Sequence, residues 1–328
     1  MQLSPGQRKF LDAIGINSTR VQWKLYQWEK RVQTGPRLPA ALKWLTYPHK
    51  ACPKCRTLVH RDASVCPACN SPVYSVWAYR LFRFLGLMVP EGATPTVTIF
   101  LLGMIGLFGV SLMLDGPGGL MMPSGRTLMT LGAWSPVTIT ANGDYWRELA
   151  FGLIHIGAIH ILFNFTALIQ LGPVIEHFIG ARRMLVVITG TQLAAAAASH
   201  AWYTGVWGNT FAISAGASGW LFGLIGFGIA YFNTQGGAGK MYTRFLVQWA
   251  GYGILFGLFM GANNAAHVGG MLGGLILGVV PEPNLVRKNH WEFVWTLAYW
   301  VSLAAWLITL GFMAHSIFTH AGLPVTPE

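Results

Sequence analysis

Charge is what this sequence has least of. Only 10% of its 328 residues are Asp, Glu, Lys or Arg, against about 25% in ordinary soluble proteins. With 53% of residues hydrophobic, a water-soluble globular chain of this length is excluded and a helical membrane protein is indicated. Cysteine is absent outside one window, Cys52 to Cys69. There is no repeat of fixed period, and no low-complexity tract exceeds the alanine run 194–198. Residues 1–30 have no continuous apolar run and carry Arg8, Lys9, Arg20 and Lys24, so they are not expected to be a cleavable signal peptide. What the chain does have is 40 glycines and 14 tryptophans. Small residues let membrane helices approach closely, and aromatic rings settle at the headgroup zone.

Positive charge is concentrated at one end. Residues 1–90 hold 14 Lys/Arg against Asp12, Glu29 and Asp62, a net +11, while residues 91–328 hold 8 of each sign and balance to zero. A basic arm can bind nucleic acid. This one leads into a membrane domain, and positive-inside sorting with contact to anionic lipid explains it better, so no nucleic-acid partner is expected. The apolar stretches read as seven spans, roughly 97–114, 158–177, 183–202, 217–233, 243–260, 265–280 and 293–316, near the ~20 residues a crossing takes. With the N-terminus in the cytoplasm, the inner connections carry Arg182, Arg183, Lys240, Arg244, Arg287 and Lys288, and the outer ones only Arg126 and Arg147. Twenty basic residues then fall inside and two outside, as the positive-inside rule requires. Residues 115–157, with Trp134, Tyr145 and Trp146, read as a loop lying in the outer leaflet. Residues 74–90 read as an interfacial helix or as a plain cytoplasmic linker.

Polar groups inside a bilayer are costly and are functional candidates. His160 and Asn164 stand at i and i+4 on the second span, with His155 just before them. The fourth span opens with Gly216-Ala217-Ser218-Gly219, and the sixth with Ala266-His267 followed by Gly269, Gly270, Gly273, Gly274 and Gly278. On this topology all three sets lie toward the outer ends of their helices. A serine hydroxyl is a poor nucleophile until a base takes its proton, and His is the usual base near neutral pH. The glycine faces from Gly219 and Gly270 onward allow the two helices to touch. Asn164, His160 and the Ser218 N–H are suitable donors for an oxyanion. No carboxylate stands toward the outer ends of the neighbouring spans to complete a triad (Glu176 is at the inner end of its span), so the expectation is a Ser–His dyad. Each piece also has a bland reading: a serine bonding its own i−4 carbonyl, an interhelical histidine, an asparagine worth roughly 1 kcal/mol of helix–helix contact.

The four cysteines form two knuckles, Cys52-Pro-Lys-Cys55 and Cys66-Pro-Ala-Cys69, ten residues apart. This doubled spacing is the tetrathiolate pattern of a structural zinc site. Two unrelated pairs or a redox dithiol are the alternatives. A cytoplasmic segment keeps its thiols reduced, and a closed Zn²⁺ site would staple a module too small to hold a core of its own. Docking a cytoplasmic partner or regulating the rest of the chain is the expected use.

Taken together, these motifs resemble the rhomboid intramembrane serine proteases. Tyr145-Trp146-Arg147-Glu148 is similar to the family's Trp-Arg element. His155, His160 and Asn164 resemble the polar series of its second helix, and Gly172-xxx-Glu176-xxx-Gly180 its G-xxx-E-xxx-G stretch. Gly216-Ala217-Ser218-Gly219 resembles its nucleophile motif, and Ala266-His267-xx-Gly270-xxx-Gly274 its base motif. The resemblance implies hydrolysis of peptide bonds within or beside transmembrane segments of other membrane proteins. Ser218 would attack, His267 would act as base and then acid, and His160 and Asn164 would line the oxyanion hole, with His155, Gly216, Gly219 and Phe222 in support. The family often has Tyr where Phe222 stands, so a ring stacked on His267 is retained and a hydroxyl lost. A catalytically inactive binder of transmembrane helices is the alternative. A transporter is disfavoured because no midplane ionisable group or matching halves are present.

The expected fold is an all-α polytopic membrane protein, most simply in a bacterial cytoplasmic membrane. Its parts are a basic segment (1–50), a zinc-ribbon-like module (51–73), an interfacial linker helix (74–96), a six-helix core (97–280), and an added transmembrane helix with a tail (281–328).

Overall fold

A helix stands at each of the seven apolar stretches in the computed structural model, which describes residues 3–13, 17–19, 21–25, 49–52, 55, 57–71, 73, 88–89, 92–234, 236–280 and 290–320. The chain divides into two units, residues 1–76 and 77–328. The first holds helix α1 (Pro5–Ala13) and the antiparallel strands β1 (His49–Ala51) and β2 (Leu58–His60), paired with Lys50 opposite Val59.

In the second unit, β3 (Met88–Val89) pairs antiparallel with β4 (Gly92–Ala93). The interfacial helix read over 74–90 therefore does not run through its last residues. Pro90 has no N–H with which to carry a helix onward, and residues 74–87 lie outside the described residues.

The first long helix, α2 (Pro95–Asp115), begins with proline at its first position, where the missing N–H costs nothing. The Glu176 carboxylate accepts the N–H groups of Thr96 and Val97 at 2.9 and 2.8 Å. Those donors would otherwise be orphans of the first turn, and negative charge is favourable there. Thr96 also donates its hydroxyl to the Ala181 carbonyl at 3.0 Å.

Residues 116–157 do not form a plain loop. They fold into 3₁₀ turns at Gly116–Leu120 and Phe151–Leu153 and three short helices, α3 (Gly125–Leu131), α4 (Pro136–Asn142) and α5 (Arg147–Ala150). Ser124 caps α3 by accepting from Thr127 N. The buried Arg147 ties the segment together: Nε donates to Asp144 at 2.9 Å and Nη1 to the Met129 carbonyl at 2.6 Å.

The remaining helices are α6 (Ala158–Ile179), α7 (Ala181–His200, continued by a π turn, Ala201–Val206), α8 (Ser218–Asn233), α9 (Gly236–Phe259), α10 (Asn264–Gly278) and α11 (His290–His320). α8 is the central one. Trp220 and Leu224 are fully buried in one core with Leu168, Leu171 and Ile175 of α6 and Val187 and Ile188 of α7. Its closest neighbour is α10. A β-carbon on Gly270 or Gly274 would run into the Gly219 and Gly223 carbonyls, so only glycine permits this separation.

By length and composition, Pro95–Leu120, Ala158–Ile179, Ala181–Val206 and Trp291–His320 can each cross a membrane. α8 and α10 are shorter, 16 and 15 residues, or about 24 and 22 Å. The chain is an all-α, multi-pass integral membrane protein.

Candidate active site and metal centre

Ser218 is the first residue of α8, and the turn before it is set by Gly216. With φ at 144°, this backbone favours glycine, and its N–H donates to the Phe151 carbonyl at 2.9 Å. A β-carbon here would lie 2.6 Å from Cε1 of His160, so the missing side chain is what lets that ring close on the turn. His267 lies one turn into α10. Asn263 caps that helix by accepting from Ala266 N at 3.0 Å, and donates Nδ2–H to Ser199 Oγ at 2.9 Å and Ser214 Oγ at 3.1 Å.

His267 Nε2 is 2.8 Å from Ser218 Oγ. Its other ring nitrogen, Nδ1, is 2.8 Å from Asn264 Oδ1. An amide oxygen only accepts, so Nδ1 carries the proton and Nε2 is left to accept from the serine hydroxyl. Phe222 lies flat against the imidazole, centroids 4.3 Å apart and planes 11° apart. His267 is 4% exposed and Ser218 is partly exposed.

Asn264 was not among the residues picked out in the sequence. The signal was an Asn-Asn pair just before Ala266-His267: Asn263 takes the cap, and Asn264, three residues before His267, reaches the ring from the same helix face.

On α6, His160 Nδ1 accepts from Ile156 N at 3.3 Å, which makes Nε2 the protonated nitrogen beside Gly216. Asn164, one turn on and buried, donates one amide hydrogen to the His160 carbonyl at 3.1 Å and keeps a second. His155 is buried with Nδ1 3.2 Å from the Leu153 carbonyl. Its ring meets His160 edge-on, centroids 5.3 Å apart, and its Nε2 has no partner among the described residues. Ser218, His267 and Phe222 are thus in direct contact and His160 closes on the turn at Gly216, while Asn164 is bonded to His160 rather than to Ser218.

In the first unit, Cys52, Cys55, Cys66 and Cys69 present four Sγ atoms within 4.8 Å of one another. Cys52 and Cys69 are 3.6 Å apart, as are Cys55 and Cys66. A tetrahedron with metal–sulfur bonds of about 2.3 Å has edges of about 3.8 Å, so the donor set fits one metal ion. Backbone turns hold each knuckle: Cys52 N donates to Thr57 O and Cys66 N to Ser71 O, both at 2.9 Å, and Asn70 takes a left-handed φ of 53° just after Cys69. Among the described residues the core here is Cys52, Cys66, Val59 and Val73, with Ala63 and Cys69 against it. Hydrogen bonds from the Thr57 hydroxyl and amide lower the Cys55 thiol to about 6, while burial pushes Cys66 up to about 11. A bound cation is what would let all four be thiolates together.

Residues 142–283 match the family model described as Rhomboid domain. The chain is also similar to RHOMBOID-like protein 4 of Arabidopsis thaliana, 29% identical over 180 residues, 53% of this chain and 43% of that protein. It is 30% identical over 154 residues to the rhomboid protease GluP of Bacillus subtilis, covering 45% of this chain and 28% of GluP. With the rhomboid protease GlpG of an Enterobacter species it shares 28% identity over 168 residues, 50% of this chain and 58% of GlpG. The chain thus spans less than two thirds of the length of each of these relatives. Over its residues 142–283, this membrane protein is thus similar to the rhomboid family.

Proposed function

We propose that the second unit is an intramembrane serine endopeptidase that cleaves transmembrane or juxtamembrane segments of other membrane proteins. The observation that carries this reading is the 2.8 Å contact of Ser218 Oγ with His267 Nε2, on an imidazole whose Nδ1 proton is held by Asn264 Oδ1. Such a ring takes the serine proton as Oγ attacks the scissile carbonyl, and returns it to the leaving amine. His160 Nε2–H, the spare Asn164 amide hydrogen and the Ser218 N–H are the donors assigned to the oxyanion. The names of GluP and GlpG as proteases support the reading. The charge bias argues for a cytoplasmic N-terminus and a site toward the outer surface. The metal of the four cysteines is assigned as one structural Zn²⁺, since four thiolates leave no open coordination position.

A fluorophosphonate labels an activated serine. Labelling of the purified protein, lost in Ser218→Ala and in His267→Ala while both variants remain folded in detergent, is the expected result. Wild-type protein that is folded, unlabelled and unable to cleave a transmembrane test peptide would make the chain an inactive binder of transmembrane helices instead.

A further inference from the structure

The seventh helix, α11, lies beyond the rhomboid match, which ends at residue 283, and the chemistry above makes no use of it. Its contacts nevertheless converge on the segment that leads to the site. Trp306, 5% exposed, donates Nε1–H to Thr189 Oγ1 of α7 at 2.9 Å and lies edge-on to Phe100 of α2, centroids 5.0 Å apart. That fixes the middle of α11 to the core. Further along, Phe312 stacks on Trp146, with planes 14° apart. Met313 is buried, and Ile317 packs against the cluster formed by Leu128, Leu131 and Ile154. The buried Ser316 donates its hydroxyl to the Thr130 carbonyl of α3 at 2.8 Å.

From α3 the hydrogen bonds run on to the site. Arg147, beside Trp146, donates Nη1–H to the Met129 and Ala133 carbonyls. Trp134 and Ser214 then exchange both backbone hydrogen bonds at 2.9 Å each. The Ser214 hydroxyl accepts from Asn263, the cap of the helix that carries His267. Ser214 is also four residues before Ser218. One chain of contacts therefore joins α11 to the backbone on both sides of the Ser218–His267 pair. A 1 Å displacement of reacting groups can cost about 10²-fold in rate, so what steadies Trp134 and Ser214 matters to chemistry.

We propose that α11 is a positioning element of this site: it clamps residues 116–157 against α7, and that segment sets the turn before Ser218 and the start of α10. The inference rests on the catalytic reading of Ser218 and His267. A helix that merely added stability would leave the rate per folded molecule unchanged.

The test uses the full chain in detergent and reads the fluorophosphonate labelling rate of Ser218, together with kcat and KM for a fluorescent transmembrane peptide. Ser316→Ala removes one hydroxyl and leaves Phe312, Met313 and Ile317 packed, so the fold survives it. Labelling and kcat should fall together by roughly tenfold with KM and thermal midpoint little changed, within the range of coupling seen along contact networks. Ser316→Thr should restore both. In a double-mutant cycle, Ser316→Ala with Ser214→Ala should cost less than the product of the single effects, because both cut one path. Wild-type rates in Ser316→Ala, or effects that multiply cleanly with those of Ser214→Ala, overturn the positioning role alone. An unlabelled wild type overturns the catalytic reading, and this inference falls with it.

Discussion

Replacing a donor proposed for the oxyanion tests a different property from replacing the proposed nucleophile. With His160→Ala or Asn164→Ala, Ser218 and His267 stay in contact, so slow labelling of Ser218 should persist. Turnover should drop by roughly 10²–10³-fold for a donor acting alone, and less where the Ser218 N–H compensates. Full turnover in both variants would return these residues to the role of interhelical contacts. Asn264 acts one step further out. Asn264→Ala frees the Nδ1 proton of His267, so the ring loses both its orientation and its tautomer. kcat should fall by roughly 10–100-fold, short of the 10²–10⁴ that general base catalysis itself contributes. Asn264→Asp, which keeps an acceptor 2.8 Å from Nδ1, should recover most of the rate. If alanine and aspartate behave alike in kcat and in pH profile, Asn264 only fills space.

At the scale of helices, the site depends on two short ones lying closer together than side chains allow. Gly219 and Gly223 of α8 face Gly270 and Gly274 of α10, and association inside a bilayer rests on such close packing because lipid tails are as apolar as leucine. Gly270→Val puts a branched side chain against the Gly219 carbonyl, one residue from Ser218. The strain should exceed the 1–3 kcal/mol typical of overpacking. We expect a lowered thermal midpoint in detergent and, in the fraction that folds, loss of labelling. A variant with wild-type midpoint and labelling rate would mean that α8 and α10 can separate without harm. By contrast Gly106 and Gly109 of α2 meet nothing within 4 Å of an added β-carbon among the described residues, so alanine at either should leave both readouts unchanged.

For the molecule as a whole, the two units have separate sources of stability. The second buries a continuous apolar core, while among the described residues the first, around its cysteines, has little beyond Val59 and Val73. Metal binding and folding of such a module are one event, worth about 10–16 kcal/mol for structural zinc sites near neutral pH. Purified reduced protein should carry one equivalent of zinc by elemental analysis. Cys66→Ser with Cys69→Ser should abolish it and leave the module unfolded to proteolysis. Content well below one equivalent in a metal-replete sample would rule out the structural site. Four thiolates leave a bound metal no open coordination position, so a fragment beginning near residue 74 should still cleave a transmembrane peptide. A fragment that folds but does not cleave would make the first unit part of the working enzyme.

Much of this was written in the sequence because hydrocarbon leaves few options. A bilayer forces each spanning stretch to satisfy its own backbone, so runs of apolar residues alone located seven helices, and the density of glycine flagged which of them approach closely. The doubled Cys-x-x-Cys spacing likewise needs no tertiary context, since a knuckle is a local turn. Sequence order could not say which polar groups meet. Asn264 carries no mark that separates it from Asn263, and only the helix phase at the start of α10 puts one on the cap and the other on the His267 ring. The segment 116–157 read as a loop because its helices are too short for a periodic pattern to emerge; Arg147 and α11 hold it in shape through contacts from Met129 to Ser316. Local chemistry marked which residues are candidates to react and where the long apolar helices stand. The helix phase at the start of α10 decided which nitrogen of His267 faces Ser218, and distant packing decided which helix contacts the segment beside it.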